Sequence, residues 1–554
     1  MRRTIVLTAV LFVIYWFVAA RGPRAVGLWQ DDAIYVCTAK ALAAGQGYRH
    51  IEIPGQPLQT KYPILYPALL AVGFLIDAEY PHNLVWLLAP TALAAAGLVT
   101  LSVRYWRDVL AADRWLLVLA ATLAALSPVL FSFVRFPMSD LLYGLLAVAA
   151  LYVVDHKHAN AKTVSQQRWW LLIATILVAL DVLTRSVGVT LAAALLAVLL
   201  WRRQWRHAGL AVLVLALCLA PWYVRQGLAT RANGSLQSVF LVGPDLGYTL
   251  WLPGSPGDTA RVIVQNFFRT AFGLTYFQLA LPQQWIQQAL AAPSWRTALL
   301  HVLSCLAVLL IGLGFVSSLR PRVRLLHVYA VLYFATMLAW PFEPYRLLIP
   351  WTPFVLYFLL SGLRNAARLT FRPLRRTGPI ALIPVGLIAL LLGVCFIVDD
   401  ARIVTSTGQE YFLREFPIDW TEVRTIEQWV AQNTRANDVL AAADAAGLYL
   451  ATGRQGYYFW PDTDPYRLFY GPDRAWTTFC LLGSPSEGRH LFDELHRRAK
   501  EAYQAAGIRY YIEHRQIDIG EGAMAEYVRA QPELFTPVFA TRGRNFTVFR
   551  VPPP

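Results

Sequence analysis

The chain of 554 residues is 57% hydrophobic and only 15% charged, with a mean hydropathy of +0.44, which is more apolar character than a soluble domain of this length needs for its core. It reads as a polytopic α-helical membrane protein. Its net charge of +15 gives no support to a nucleic-acid partner, because the basic residues are scattered loop by loop and not gathered on one face.

A helix crossing the hydrocarbon needs roughly 20 mainly apolar residues, and about eleven candidate spans recur along the chain. They lie near 4 to 20, 82 to 103, 115 to 133, 138 to 154, 169 to 184, 187 to 201, 207 to 224, 297 to 318, 325 to 340, 347 to 362 and 379 to 398. Arg2 and Arg3 before the first span give it the outline of a secretory signal, but with so many spans behind it an uncleaved anchor is expected.

Lys and Arg accumulate in short cytoplasmic loops. One side receives Arg2 and Arg3, then Arg104, Arg107 and Arg114, then Lys157, Lys162 and Arg168, then Arg202, Arg203 and Arg206, then Arg320, Arg322 and Arg324, and finally Arg364, Arg368, Arg372, Arg375 and Arg376. The short turns opposite hold only Arg135, Arg185 and Arg346. The N-terminus is therefore expected in the cytoplasm and everything after Val398 outside it, with a bacterial inner membrane as the expected location.

Three segments project outward on this reading: 21 to 81, 225 to 296, and the tail from 399 to 554. In the first, Asp32 to Ala44 and Ile64 to Ile76 are expected as helices along the membrane surface. The second carries turn signals at Gly243-Pro244, Pro253-Gly254 and Pro256-Gly257, then an aromatic stretch around Phe267, Phe268 and Tyr276 that would suit a lid. The tail has the alternation of a separate α/β domain, with helices at Trp420 to Gln432 and Glu494 to Ala506 and strands at Asp438 to Ala443, Ile508 to Glu513 and Phe546 to Val551. The division is therefore a membrane domain over 1–398 and an extracytoplasmic α/β domain over 399–554. Cys37 and Cys480 lie outside the spans and are expected to be free, being far apart in sequence. No zinc-ligand spacing, Walker loop or dinucleotide-binding glycine motif is present.

Polar motifs concentrate on the outer side. Asp31 and Asp32 are adjacent carboxylates just beyond the first span. Such a pair suits a general base whose neighbour binds a metal ion or fixes a polar group, and equally the cap of the helix that follows. Lys61 precedes a helix starting near Pro63, a combination that attracts phosphate, although a lysine reaching to the headgroups explains it as well. The turns add Arg135 with Asp140, Asp181 with Arg185, and Glu343 with Arg346. Each has a local explanation as anchor, cap or ion pair; together they suggest one polar cavity.

These residues resemble the polytopic glycosyltransferases of the GT-C fold, in particular the protein O-mannosyltransferase and aminoarabinose-transferase group (glycosyltransferase family 39). The markers are Asp31-Asp32 with Tyr35 after the first span, the Gly45-Gln-Gly-Tyr48 turn, Lys61-Tyr-Pro-Ile-Leu-Tyr-Pro67, Ser139-Asp140, Thr184-Arg185-Ser-Val-Gly188 and Tyr345-Arg346-Leu-Leu-Ile-Pro350. The resemblance implies a polyprenyl-phosphate-linked sugar donor, an extracytoplasmic acceptor that is a lipid, glycan or protein, and transfer with inversion. Asp31 matches the catalytic position, with Asp32 beside it. Lys61, Arg185 and Arg346 match donor-phosphate positions. Asp140 matches an acceptor or metal position, with Tyr35, Arg135 and Glu343 as further candidates, and a divalent cation held by Asp31, Asp32 and Asp140 is one option. Some relatives carry Asp-Glu in place of Asp-Asp, and some have Arg where this chain has Ile34, so the role of Asp32 and any need for metal stay open. The competing classes are a transporter or flippase of lipid-linked sugars and a non-catalytic scaffold for envelope assembly; the mid-membrane ionisable groups and inverted repeats of many transporters are not evident.

Overall fold

The structure, a computed structural model, describes residues 2–22, 26–27, 29, 31–233, 256–276, 278–279, 294–320, 322–339, 344–370, 382–405, 419–442, 444–457, 506–514 and 532–552. Two compact units emerge, one of 1–21, 88–221 and 253–405, the other of 22–87, 222–252 and 406–554. A single cut near residue 398 therefore does not describe the chain: much of the two outward loops belongs with the tail.

The first unit is helical. Helices α1 (Arg2–Ala20), α4 (Leu84–Asp108, from residue 88 on), α5 (Arg114–Ala125), α6 (Pro128–Phe133), α7 (Asp140–Tyr152), α8 (Val164–Val182), α9 (Val189–Trp201) and α10 (Trp205–Asn233, up to residue 221) are followed by Pro256–Tyr276, Trp295–Ser318, Leu325–Leu338, Thr352–Thr370 and Ile383–Thr405. Among the described residues six segments, Leu84–Asp108, Arg114–Phe133, Trp205–Asn233, Trp295–Ser318, Arg346–Thr370 and Ile383–Thr405, are long and apolar enough to cross a bilayer. Shorter apolar helices include Thr4–Ala20, Ser186–Trp201 and Leu325–Leu338. The protein is an integral membrane protein, and helix underlies most of the described part of each segment predicted as a span. The number that cross is a separate matter from the number that are helical.

Local sequence sets several helix ends. Asp113 accepts from Leu116 N at 2.9 Å and Thr163 from Gln166 N at 3.1 Å, each satisfying a donor left over at a helix start. Pro128 opens α6, so the stretch predicted as one span over 115 to 133 is broken at Leu126 and Ser127. Helices Trp295–Ser318 and Thr352–Thr370 meet at glycines. A Cβ on Gly314 would run into the Phe358 carbonyl, and one on Gly362 into the Leu310 carbonyl. Between apolar helices in lipid, close backbone approach through small residues is a main source of attraction.

The second unit joins sheet and loop. Strands β1 (Val439–Ala442), β2 (Gly456–Tyr457), β3 (Ile508–His514), β4 (Thr536–Ala540) and β5 (Phe546–Arg550) form one sheet in the order β2-β1-β3-β5-β4. The pairs β1/β2 and β1/β3 are parallel, and β3/β5 and β4/β5 antiparallel. Helices Trp420–Asn433 and Ala445–Thr452 accompany the sheet. Ile426, Val430, Leu448 and Tyr510 pack into one apolar cluster, and Tyr511, Phe535 and Phe549 into another.

Ile53, from the first outward loop, is fully buried in the second cluster. The same loop is tied to the strand start by Gly456 N to Glu52 O at 2.8 Å and Gln455 Nε2 to Ile51 O at 2.9 Å. Helix α2 (Asp31–Ala43) packs on α3 (Leu65–Ile76) and on Ala445–Thr452. Both loop helices span nearly the residues that the sequence predicts as helical. Cys37, far from the tail in sequence, is buried with its thiol 3.6 Å from the Ala446 carbonyl. Cys480 and most of the predicted helix at Glu494 to Ala506 lie outside the described residues.

Buried acids gather in this second unit. Burial pushes Asp32 up to about 6, against the lowering effect of its backbone donors and with help from the Asp31 charge. Burial, then the Asp32 charge, holds Asp444 well above the usual carboxylate range, and burial pushes Glu427 up to about 7. A carboxyl raised in the fold stabilises it fully below the unfolded value, 3.8 for Asp32, and that stabilisation is lost as the pH rises through about 6.

Two outcomes are expected. Gly362→Leu should lower the thermal stability of the purified full-length protein by about 1–3 kcal/mol, the usual penalty for overpacking, whereas a variant melting like wild type would show that the helices do not touch there. Thermal unfolding should also give a second unit more stable at pH 5.5 than at pH 7.5, by about 1 kcal/mol from Asp32 alone. Asp444→Asn, which keeps a capping side chain, should reduce that difference; stability rising with pH instead would contradict the burial of these acids.

Candidate functional site

The predicted site residues fall into two groups, one in each unit. In the helical unit, Ser139 and Asp140 stand at the start of α7, where a carboxylate favours the helix dipole. Asp140 is buried, and its Oδ2 accepts from Arg185 NH1 at 2.8 Å and Arg346 Nε at 3.2 Å. Arg185 NH1 also lies 3.2 Å from Ser139 Oγ. Asp140 Oδ1 is buried without a hydrogen-bond partner among the described residues. The two guanidinium groups keep part of their surface exposed, 16% and 19% of the side chain.

Local backbone explains this convergence. Arg185 leaves the end of α8 in extended conformation, with its N–H on Asp181 O at 3.0 Å. The chain then turns back so tightly that a Cβ on Gly188 would lie 2.8 Å from Val182 N, which accounts for glycine in Thr184-Arg185-Ser-Val-Gly188. Arg346 sits on the 3-10 segment Pro344–Trp351, which is held by Tyr333 OH donating to Leu347 O at 2.7 Å. Tyr143 and Tyr329 hydroxyls meet at 2.6 Å. Sequence reasoning missed these tyrosines; the available signal was Tyr329 and Tyr333, four apart on one helix face.

Asp181 is buried at the end of α8, and neither carboxylate oxygen has a hydrogen-bond partner among the described residues. Arg135 is also buried and donates to Ile403 O at 2.9 Å, a bond that ties the α6–α7 turn to the last long helix. Glu343 lies outside the described residues. In the same unit a cavity of about 310 Å³ is lined by Phe267, Leu274, Ile311, Phe334, Trp351 and Phe358. Its walls are apolar, and Trp351 belongs to the segment that carries Arg346. Phe267 reaches it from the long helix Pro256–Tyr276, the segment that the sequence suggests as a lid.

In the second unit, Tyr62 is the meeting point. Its hydroxyl donates to Asp31 Oδ1, and Lys61 Nζ stands 4.8 Å from the centre of its ring. Tyr35 packs edge-on against Tyr62 and Tyr66, at ring separations of 5.0 and 5.3 Å. Gln59 Oε1 accepts from Lys61 N at 2.8 Å and Tyr62 N at 3.2 Å, and Tyr48 OH donates to Tyr62 O at 2.9 Å. Arg225, which sequence reasoning did not single out, donates to the Gln59 and Tyr48 carbonyls, and Gln226 Nε2 donates to Thr60 O at 2.8 Å. The Asp31, Lys61 and Tyr35 side chains are thus held around one tyrosine by a braced loop.

Asp31 and Asp32 have different surroundings. Asp32 is fully buried, and its oxygens accept from Gly27 N at 2.9 Å and Trp29 N at 3.1 Å, so it fastens the approach to α2. Asp31 is partly exposed and in contact with a phenol. Among the described residues, two of the three carboxylates suggested as cation ligands are already engaged. Asp32 is turned to backbone donors, Asp140 lies against two cations, and among the described residues no three His, Cys, Asp or Glu side chains gather closely enough to hold one.

No family model matches the chain, and no curated protein matches it. Solved structures do. The chain is similar over 99% of its length, and 97% of the other's, to ArnT from Cupriavidus metallidurans in the apo state, at 13% identity and a TM-score of 0.54. The form of ArnT bound to undecaprenyl phosphate gives the same coverage at 15% identity and a TM-score of 0.52. The oligosaccharyltransferase AglB of Archaeoglobus fulgidus, in complex with an inhibitory peptide and a dolichol-phosphate, matches 97% of this chain and 74% of its own at 13% identity and a TM-score of 0.52. At such identities the likeness is one of fold, and it extends over nearly the whole chain: this protein has the GT-C fold of the membrane glycosyltransferases.

Proposed function

We propose that the protein is an inverting glycosyltransferase that moves a hexosyl or pentosyl group from a polyprenyl-phosphate donor to an acceptor lipid, glycan or protein on the outer face of a bacterial inner membrane. The observation that carries the reading is the pair of guanidinium groups, Arg185 and Arg346, fixed on one oxygen of Asp140. Two cations balanced by one carboxylate suit a phosphate, which takes hydrogen bonds from arginine forks. The neighbouring apolar cavity suits part of a prenyl chain. Solved structures of the same fold bound to undecaprenyl phosphate and to a dolichol-phosphate support the donor class.

In this reading Asp31 takes the proton from an acceptor hydroxyl. The freed oxygen attacks the anomeric carbon as the bond from that carbon to the phosphate oxygen breaks, and polyprenyl phosphate leaves with one more negative charge. Arg185 and Arg346 stabilise that developing charge. Tyr62 orients Asp31, Tyr35 supports Tyr62, and Asp140 sets the two guanidinium groups. Asp32 has a structural role as the clasp of the α2 start, and Arg135 as an anchor. The N-terminus is cytoplasmic, in keeping with the basic loops.

Asp31→Asn should reduce sugar transfer by roughly 10²–10⁴-fold, the scale of general-base catalysis, with thermal unfolding unchanged. The measurement is turnover of radiolabelled polyprenyl-phosphate sugars by purified protein with membrane-extract acceptors, which also identifies sugar and acceptor. Undiminished transfer by the variant would remove Asp31 from the mechanism.

A further inference from the structure

At the other end of the same helical unit lies a second polar site. Helix α7 begins at Asp140, and its continuation, the π-helical turn Val153–His158, ends about 27 Å farther along at a helical rise of 1.5 Å per residue. There a cavity of about 310 Å³ is lined by His158, Arg202, Gln204, Arg322, Arg324 and Asp155. Its volume lies at the small end of ligand sites, ~300–1,000 Å³. In the sequence these arginines are absorbed by topology, as ordinary members of basic loops. The structure brings three of them, from two separate loops, to one cavity.

The walls carry unmet hydrogen-bonding capacity. His158 is 4% exposed and Arg324 8%, yet His158 Nε2, Arg324 Nε and Gln204 Oε1 are buried without hydrogen-bond partners among the described residues. Such groups cost stability unless something polar completes them. The single carboxylate does little to neutralise the arginines. Asp155 Oδ1 accepts from Leu325 N at 2.9 Å, and Oδ2 from Leu326 N at 3.2 Å and Tyr105 OH at 2.7 Å, so the acid serves the start of helix Leu325–Leu338. Arg202 donates to Val323 O at 3.3 Å and Arg324 to Ser318 O at 2.7 Å, bonds that fix both guanidinium groups in place. Burial, then His207 and Arg202, pushes His158 down to about 4, so it is a neutral ring at pH 7 that can donate one N–H without adding charge.

We propose that this cavity binds a phosphate group, as a monoester or diester, at the end of the helical unit opposite Asp140. Three guanidinium groups and a buried imidazole around a space of this size match the several acceptor oxygens of a phosphate better than they match one carboxylate or a neutral ligand. The phosphate could come from the headgroup of an anionic lipid in the adjoining leaflet or from a free phosphate compound. The inference is independent of the transfer reaction and of Asp31.

The test uses the full-length protein in phosphatidylcholine nanodiscs, with thermal unfolding as the readout and two probes. Pyrophosphate added to these discs tests the free source, and discs containing phosphatidylglycerol test the lipid source. The Arg202→Gln/Arg322→Gln variant removes two exposed guanidinium groups from the lining, and Arg206→Gln/Arg320→Gln, at two exposed residues outside the lining, removes the same charge elsewhere. A saturable rise with pyrophosphate, weakened roughly tenfold or more in the double variant and unchanged in the control, would establish a free-phosphate site. A rise only in phosphatidylglycerol discs, lost in the double variant and kept in the control, would establish a lipid site. No stabilisation by either probe, or equal responses in wild type and double variant, would overturn the proposal.

Discussion

One oxygen of Asp140 holds one end of the helical unit together. It receives a guanidinium from the turn after α8 and another from the 3-10 segment before helix Thr352–Thr370, while its own residue starts α7. Three separate stretches of chain are thereby fixed at a point where apolar packing cannot supply direction. The carboxylate also lowers the repulsion between the two arginines without cancelling their charge. A phosphate binder needs cations that are close together, oriented and not fully neutralised, and this is the simplest arrangement that meets all three needs.

The second unit solves a different problem. A loop carrying a candidate base must be stiff, since a carboxylate that wanders by even 1 Å loses much of its catalytic value. Here the loop contributes Ile53 to the core of a sheet formed by the tail, shares backbone hydrogen bonds with β2, and is braced by Arg225 and Gln226. The tail domain thus has at least a supporting function: it is the wall on which the Asp31 segment is mounted. Fully buried Asp32 and partly buried Asp444, both held above the usual carboxylate range, are the electrostatic cost of that close packing.

Much of this was legible in the sequence, for physical reasons that can be named. Apolar runs located the long helices because a span must satisfy its backbone internally. Strands β3 and β5 showed themselves by their β-branched and aromatic residues and β1 by a short apolar run, whereas β2 has only two residues and β4 carries Pro537, as an edge strand can. Asp140, Arg185 and Arg346 were legible as members of a wider group of ionisable residues at span ends, which need partners, but local spacing paired Asp140 with Arg135, Arg185 with Asp181 and Arg346 with Glu343. The separation of Asp31 from Asp32 was not, since adjacent carboxylates look alike until one of them is seen to clasp Gly27 and Trp29. Nor was the fusion of loop and tail, because contacts between residues some 400 positions apart leave no local pattern. Arg225 was hidden by position, at the end of a long apolar helix where an arginine usually marks only the interface.

The central claim is that the arginine pair mounted on Asp140 is a seat for a lipid-borne phosphate. Its most direct test is equilibrium binding of undecaprenyl phosphate to the purified full-length protein, comparing wild type with Arg185→Gln, Arg346→Gln and the double variant. Loss of one charge-assisted contact corresponds to a weakening of about tenfold, so each single variant should bind about that much more weakly and the double variant should show no saturable binding. A double variant that remains folded and binds as tightly as wild type would contradict the claim.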